Sequence, residues 1–192
     1  MEFPVTHGMT KAILWSSLIT MTVVSLSVSG CAFVQPSKRQ PVRARFEPVA
    51  TVQDLMGAQI DPSADELWDA VAVISSLGVT ETRQPRTDQE WSAVRRSALR
   101  LIEAAALVAT PGRRIGTSSV AAATGELAPA EIQQRVERNP VYFTQFADAL
   151  RLAALNALRA IDARDTRALM DAGGVIDQAC EACHTTYWYP PK

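Results

Sequence analysis

"DTRALMDAGGVIDQACEACHTTYWYPPK" closes the chain at residues 165–192. Within it Leu169, Gly173, Ile176, Cys180, Cys183 and Tyr187 fall four, three, four, three and four apart, the rhythm of one inward-facing stripe on an α-helix. Asp165 is placed to cap its start, and Pro190 and Pro191 forbid continuation. Cys180, Cys183 and His184 stand at i, i+3 and i+4, so two thiols and an imidazole share one face of this helix.

The same rhythm extends upstream. Asn139-Pro140 opens a helix carrying Phe143, Phe146, Leu150, Ala154, Ala157 and Ile161. "TDQE" at 87–90 is a capping box ahead of Trp91, Val94, Ala98, Leu101, Ala105 and Val108, ended by "TPG" at 110–112. Residues 113–139 read as a loop, rich in small and polar residues, with a short helical piece over 129–137. Thr51 and Asp54 begin the earliest helix, which kinks or restarts at Asp61-Pro62; Leu67, Val71 and Ile74 then continue its buried stripe to a stop at Gly78. Almost no period-two alternation is visible. The expectation is an all-α, antiparallel four-helix bundle over residues 51–192.

Composition fits one domain with extra sequence attached: 47% of the 192 residues are hydrophobic and 20% charged. Nineteen Lys and Arg against twenty Asp and Glu leave a net charge of -1, which provides no footprint for nucleic acid. "MTKAILWSSLITMTVVSLSVSGC", residues 9–31, has a basic start, an apolar stretch and small residues before a cysteine. It reads as an export signal over residues 1–30, short for a span that needs about 20 predominantly apolar residues. Residues 1–8 carry no Lys or Arg, which makes Met9 an alternative to Met1 as the start. "VSGC" resembles the lipobox of bacterial lipoproteins, which implies that Cys31 is acylated and becomes the mature N-terminus. The alternative is a plain cleavage site before a free cysteine. A polar tether with three prolines follows over residues 31–50. The expected location is the periplasmic side of the cell envelope, anchored to a membrane by lipid.

C-x-x-C-H on a helix suits covalent haem attachment, with thioethers from Cys180 and Cys183 and with His184 as an axial iron ligand. Three other uses of these groups compete. Structural zinc needs four ligands, and once Cys31 is acylated and His7 removed only carboxylates could complete the set. A redox dithiol is expected at a helix N-terminus in a βαβ setting. A disulfide between cysteines three apart closes a tiny loop and gains little.

An exported helical domain with "CEACHTTYW" near its C-terminus resembles the cytochrome c-prime class, including its low-spin relatives among the class II cytochromes c. The resemblance covers residues 51–189 and implies a four-helix bundle, one haem c and a distal residue on the first helix. It also implies dimers formed through the first two helices. The family often places a basic residue after the tyrosine, beside the haem propionates, and this chain has Trp188 there. Without the signal, Met56 and Met170 are the only methionines. Met170 precedes Cys180 on the same helix by roughly 15 Å, out of reach of the distal face. Met56 lies where the resemblance puts the distal residue, with Leu55 as the alternative if the register slips by one and core packing as the plainer role of a lone methionine.

The leading expectation is therefore outer-sphere electron transfer through a haem ligated by Met56 and His184, with redox proteins of the envelope as partners. A five-coordinate binder of nitric oxide or carbon monoxide and a haem-free envelope lipoprotein are the alternatives. With His184 as the sole mature histidine, and no Ser-His-Asp, paired-carboxylate or Gly-rich phosphate arrangement, an enzyme is not expected.

Overall fold

Thr51 starts the first helix as its capping box dictates. In the computed structural model, which describes residues 47–117 and 124–190, Thr51 Oγ1 accepts from the Asp54 N–H at 3.1 Å and the Asp54 carboxylate accepts from the Thr51 N–H at 2.8 Å. Helix α1 (Val52–Leu55) then runs unbroken through a π-helical turn (Met56–Ile60) into α2 (Asp61–Ala70). Asp61 does not restart a helix as an N-cap. Its φ of -56° and ψ of -52° are helical, and its N–H donates to the Met56 carbonyl, five residues back.

Two features of the sequence favour that wider turn. Pro62 has no N–H to give the Ala58 carbonyl. Leu55 and Ile60 are both buried although five residues apart, so the extra residue turns Ile60 inward in place of the exposed Gln59. Ala64, Leu67 and Val71 continue the buried stripe from Ile60.

The stripe stops at Val71, and the helix does not reach Gly78. Residues Ala72–Ser76 (β1) and Val79–Arg83 (β2) form an antiparallel hairpin, with Ile74 opposite Glu81. Leu77 and Gly78 close it at φ of 50° and 80°, the two positive values that a two-residue hairpin loop requires. β-branched Val73, Ile74, Val79, Thr80 and Thr82 suit extended backbone better than helix. The chain is thus mostly helical with one small sheet, and Ile74 is 38% exposed instead of buried.

Three of the remaining helices start where Thr87, Asn139 and Asp165 cap them, and the fourth follows Ala128, which has no capping side chain. They are α3 (Asp88–Val108), α4 (Pro129–Arg138), α5 (Pro140–Asp162) and α6 (Thr166–Tyr187). Thr87 Oγ1 accepts from the Glu90 N–H at 3.2 Å, and the Glu90 carboxylate accepts from the N–H groups of Thr87 and Arg86. All six apolar positions read for α3 are buried; on α5 all are buried except Phe146, which is half-buried. α3 packs on α5, α5 on α6, and α2 on both α3 and α6. Buried Ala98, Ala105, Ala154 and Ala157 let the helix backbones come close. Glu66 ties α2 to α3 by accepting from the Ser97 hydroxyl and the Arg100 guanidinium.

The long connection after α3 clamps the start of α1. The carbonyls of Arg114 and Ile115 accept from the N–H groups of Val52 and Gln53, both at 2.9 Å, and Arg113 donates to the Ala50 carbonyl. Two of the orphan amides of a helix N-terminus are satisfied in this way.

Leu101→Ala is expected to destabilise the protein by about 2–5 kcal/mol, whereas Ile74→Ala changes stability by no more than about 0.5 kcal/mol, measured by urea unfolding. A loss of core size at Ile74 would return that residue to a helical stripe.

The capping carboxyls give a pH dependence. Glu90 is held below its ordinary pKa by hydrogen bonds from the Arg86 and Thr87 backbone and the Thr87 side chain, and Asp54 likewise by Thr51. Their contribution to stability is complete above the ordinary carboxylate range, about pH 4, and is lost as the pH falls through the depressed values. Thermal melts of Glu90→Gln between about pH 6 and 2 should show a shallower acid decline than wild type.

Candidate functional site

Asp165 fixes where α6 begins, its carboxylate accepting from the Ala168 N–H at 2.9 Å. From that start Leu169, Gly173 and Ile176 meet the core, and Tyr187 meets it again near the end. Phe143 and Phe146 present ring edges and faces to Tyr187, with centroids 5.4 and 5.8 Å away. Between these two anchorages, at Cys180 and Cys183, the stripe faces a cavity of about 260 Å³.

The cavity gathers most of the residues singled out from the sequence. Cys180, Cys183 and His184 line it from α6, and Met56 lines it from the first turn after α1. All four are half-buried. Leu55 is buried in the core and is not one of the lining residues, whereas Met56 is. Met170 is 42% exposed and lies in a different groove. Cys31 and the export segment 1–30 fall outside the described residues.

The two thiols are free. Burial pushes the Cys183 thiol up to about 12, with Cys180 adding; burial pushes Cys180 up to about 11, with Asp61 and Asp177 adding. Both are therefore neutral at ordinary pH, the opposite of the lowered pKa that marks a redox-active thiolate. Among the described residues no group of three or more His, Cys, Asp and Glu is placed to hold a metal ion. The remaining walls are apolar, chiefly Ile60, Ala64, Val108, Phe143 and Leu150. Such a donor set suits covalent attachment of a flat apolar group together with axial N and S ligation.

The aromatic end of α6 lies beside His184. The His184 carbonyl accepts from the N–H groups of Trp188 and Tyr189 at 2.8 and 3.1 Å, bringing both rings beside the imidazole at 5.9 and 6.2 Å. Trp188 and Tyr187 are buried against the core, whereas Tyr189 is exposed. Trp188 stands where the family resemblance implies a cation. A cation reaches the same end from α4, since Arg135 donates to the Tyr189 carbonyl at 3.3 Å.

Among the lining residues not read from the sequence are Asp65 and Trp68, and Asp61 was read only as the place where the helix kinks or restarts. Their signal was the four-residue spacing of Ile60, Ala64 and Trp68, visible only once the π-helical turn shifts the register by one. Burial pushes the Asp61 carboxyl above its ordinary value; His184 pulls it the other way and Asp65 adds to the rise. Trp68 Nε1 donates to the Gly173 carbonyl at 3.0 Å, and a Cβ on Gly173 would stand 3.0 Å from the Trp68 ring. Glycine at 173 is therefore what lets this ring lie against α6.

In Gly173→Ala the gain in helix propensity of about 1 kcal/mol is offset by a lost hydrogen bond of similar worth. Global stability should change little while Trp68 is displaced, read as a red shift in emission that is absent when Trp68→Phe is combined with it. No family among the available models, no curated protein and no solved structure matches the chain, so the role of the site rests on its own residues.

Proposed function

We propose that this chain is a c-type haem protein that carries electrons. One observation carries the reading: the two cysteines, the histidine of C-x-x-C-H and the thioether of Met56 line a single apolar cavity. The residues fit the group, because a porphyrin asks for apolar walls, two attachment sulfurs and axial donors, and each is supplied by a named side chain. Cys180 and Cys183 would hold the macrocycle as thioethers, a role for which their neutral, half-buried thiols need no metal. His184 would give one axial donor and Met56 the other. Ile60, Phe143 and Leu150 would exclude water from the macrocycle, and the Trp188 and Tyr189 rings would restrict the imidazole.

Haem so held supplies a one-electron couple at iron. A thioether opposite an imidazole, together with apolar walls, favours the reduced state. The packing of α1–α2, α3, α5 and α6, with a tight turn between the last two, supports the finer reading of an antiparallel four-helix bundle of the cytochrome c-prime class. Lipid anchoring at Cys31 on the periplasmic side of the envelope completes the proposal. Among the described residues no helix is long and apolar enough to cross a membrane.

A five-coordinate binder of nitric oxide or carbon monoxide is the second reading. It is favoured by the placement of Met56 at the head of a π-helical turn beside Gly57, around which no side chain crowds. Spectra distinguish the two. After expression with a cytochrome c maturation system, the protein should give a pyridine haemochrome that is lost in Cys180→Ala/Cys183→Ala. The wild-type ferric spectrum should be low-spin and that of Met56→Ala high-spin. A low-spin spectrum unchanged in Met56→Ala would remove Met56 from the iron, and a high-spin wild type would favour the gas binder.

A further inference from the structure

Trp68 belongs to two concave surfaces at once. It lines the cavity beside Cys180, and it floors a groove of about 270 Å³ between α2 and α6 together with Met170, Gly173 and Gly174. Trp68 is 36% exposed and Met170 42%, so this apolar strip reaches solvent.

Carboxylates surround the strip. Asp61 and Asp65 flank Trp68 on the cavity side, Asp177 lies on the groove, and Asp171 lies in the adjoining depression. All four are exposed, and the ion pairs found among the described residues engage other acids: Glu66, Glu81, Asp88, Asp148 and Asp162. Arg83 and Arg167 border the far depression near the start of α6, and Arg83 already pairs with Glu81. A chain with a net charge of only -1 thus concentrates negative charge around an exposed aromatic ring that also lines the cavity. An apolar contact ringed by one sign of charge steers an oppositely charged protein and fixes its orientation.

We infer that the α2–α6 face around Trp68 docks a partner protein bearing a basic patch, and that electrons cross between haem and partner at this face. The inference rests on the haem reading above. One electron passes between the haem iron and the partner's redox centre, one oxidised as the other is reduced, with no bond made and no proton moved. A second copy of this chain is a poor occupant, because two-fold pairing would set these carboxylates against their own equivalents.

The test uses the haem-loaded protein and stopped-flow electron transfer with two probes, a basic mitochondrial-type cytochrome c and anionic hexacyanoferrate. At low ionic strength, Asp65→Asn/Asp177→Asn should slow reaction with the basic probe about tenfold and speed reaction with hexacyanoferrate, both differences fading at about 0.5 M salt. Met170→Lys should shift both rates in the same directions, whereas Glu103→Gln/Glu126→Gln should move neither. Equal rates in the wild type and the Asp65/Asp177 variant, or an equal change in the control pair, would overturn the docking face and leave the haem reading intact. A dimer in sedimentation that Met170→Lys dissociates would put a second copy there and overturn it too. Absence of a pyridine haemochrome would overturn the haem reading and this one with it.

Discussion

The hydrogen bond from the Asp61 N–H to the Met56 carbonyl spans five residues where an α-helix spans four, and the cavity depends on that difference. With a regular helix from Thr51, the buried positions after Val52 and Leu55 would fall near Ala58 or Gln59, and every later side chain would be rotated by about 100°. The wider turn instead aligns Ile60, Ala64 and Trp68 with the cysteine face of α6. Pro62 makes the wider turn cheap, since the hydrogen bond it would otherwise have to donate does not exist. The clamp from Arg114 and Ile115 to the first amides of α1 fixes the other end of the same segment. Met56 is thus held between a capped helix start and a proline, in a stretch whose backbone geometry differs from that on either side.

Close approach is the second constraint, and small residues supply it. Gly173 admits the Trp68 ring to α6, and the alanines of α3 and α5 bring those helices together. Where α6 carries Cys180 and Cys183, the opposing residues on α3 and α5 include Ala105 and Ala147, which leave room that larger side chains would fill. Core packing above and below, through Ile176 and Tyr187, keeps that room in shape.

How much of this was legible in the sequence follows from which signals are local. Caps are local, and those at Thr51, Thr87, Asn139 and Asp165 all stand as read, because a side-chain oxygen three residues from an amide needs no tertiary help. The long stripes of α3, α5 and α6 were equally plain. The segment after Val71 was misread because Leu67, Val71 and Ile74 satisfy a helical spacing by three points alone, while the β-branched run and the Leu77-Gly78 turn pointed to a hairpin. The motif at Cys180, Cys183 and His184 was visible as spacing. The facing of Asp65 and Trp68 was not, since it depends on a register shift that Pro62 permits and packing selects.

The environment of the two thiols weighs against one use of C-x-x-C-H, that of a free redox dithiol. A redox dithiol operates through a thiolate and needs cations or helix-terminal amides to lower the thiol pKa. Here burial acts in the opposite sense on both sulfurs, and at Cys180 the carboxylates of Asp61 and Asp177 reinforce it. Those carboxylates add negative charge to a site that would have to accumulate more of it in a free dithiolate. Thioether formation makes no such demand, because the product sulfur is neutral and apolar and suits the walls around it. Asp177, unfavourable to a thiolate inside, is itself exposed on the outer rim, where water screens it and a cationic partner can meet it.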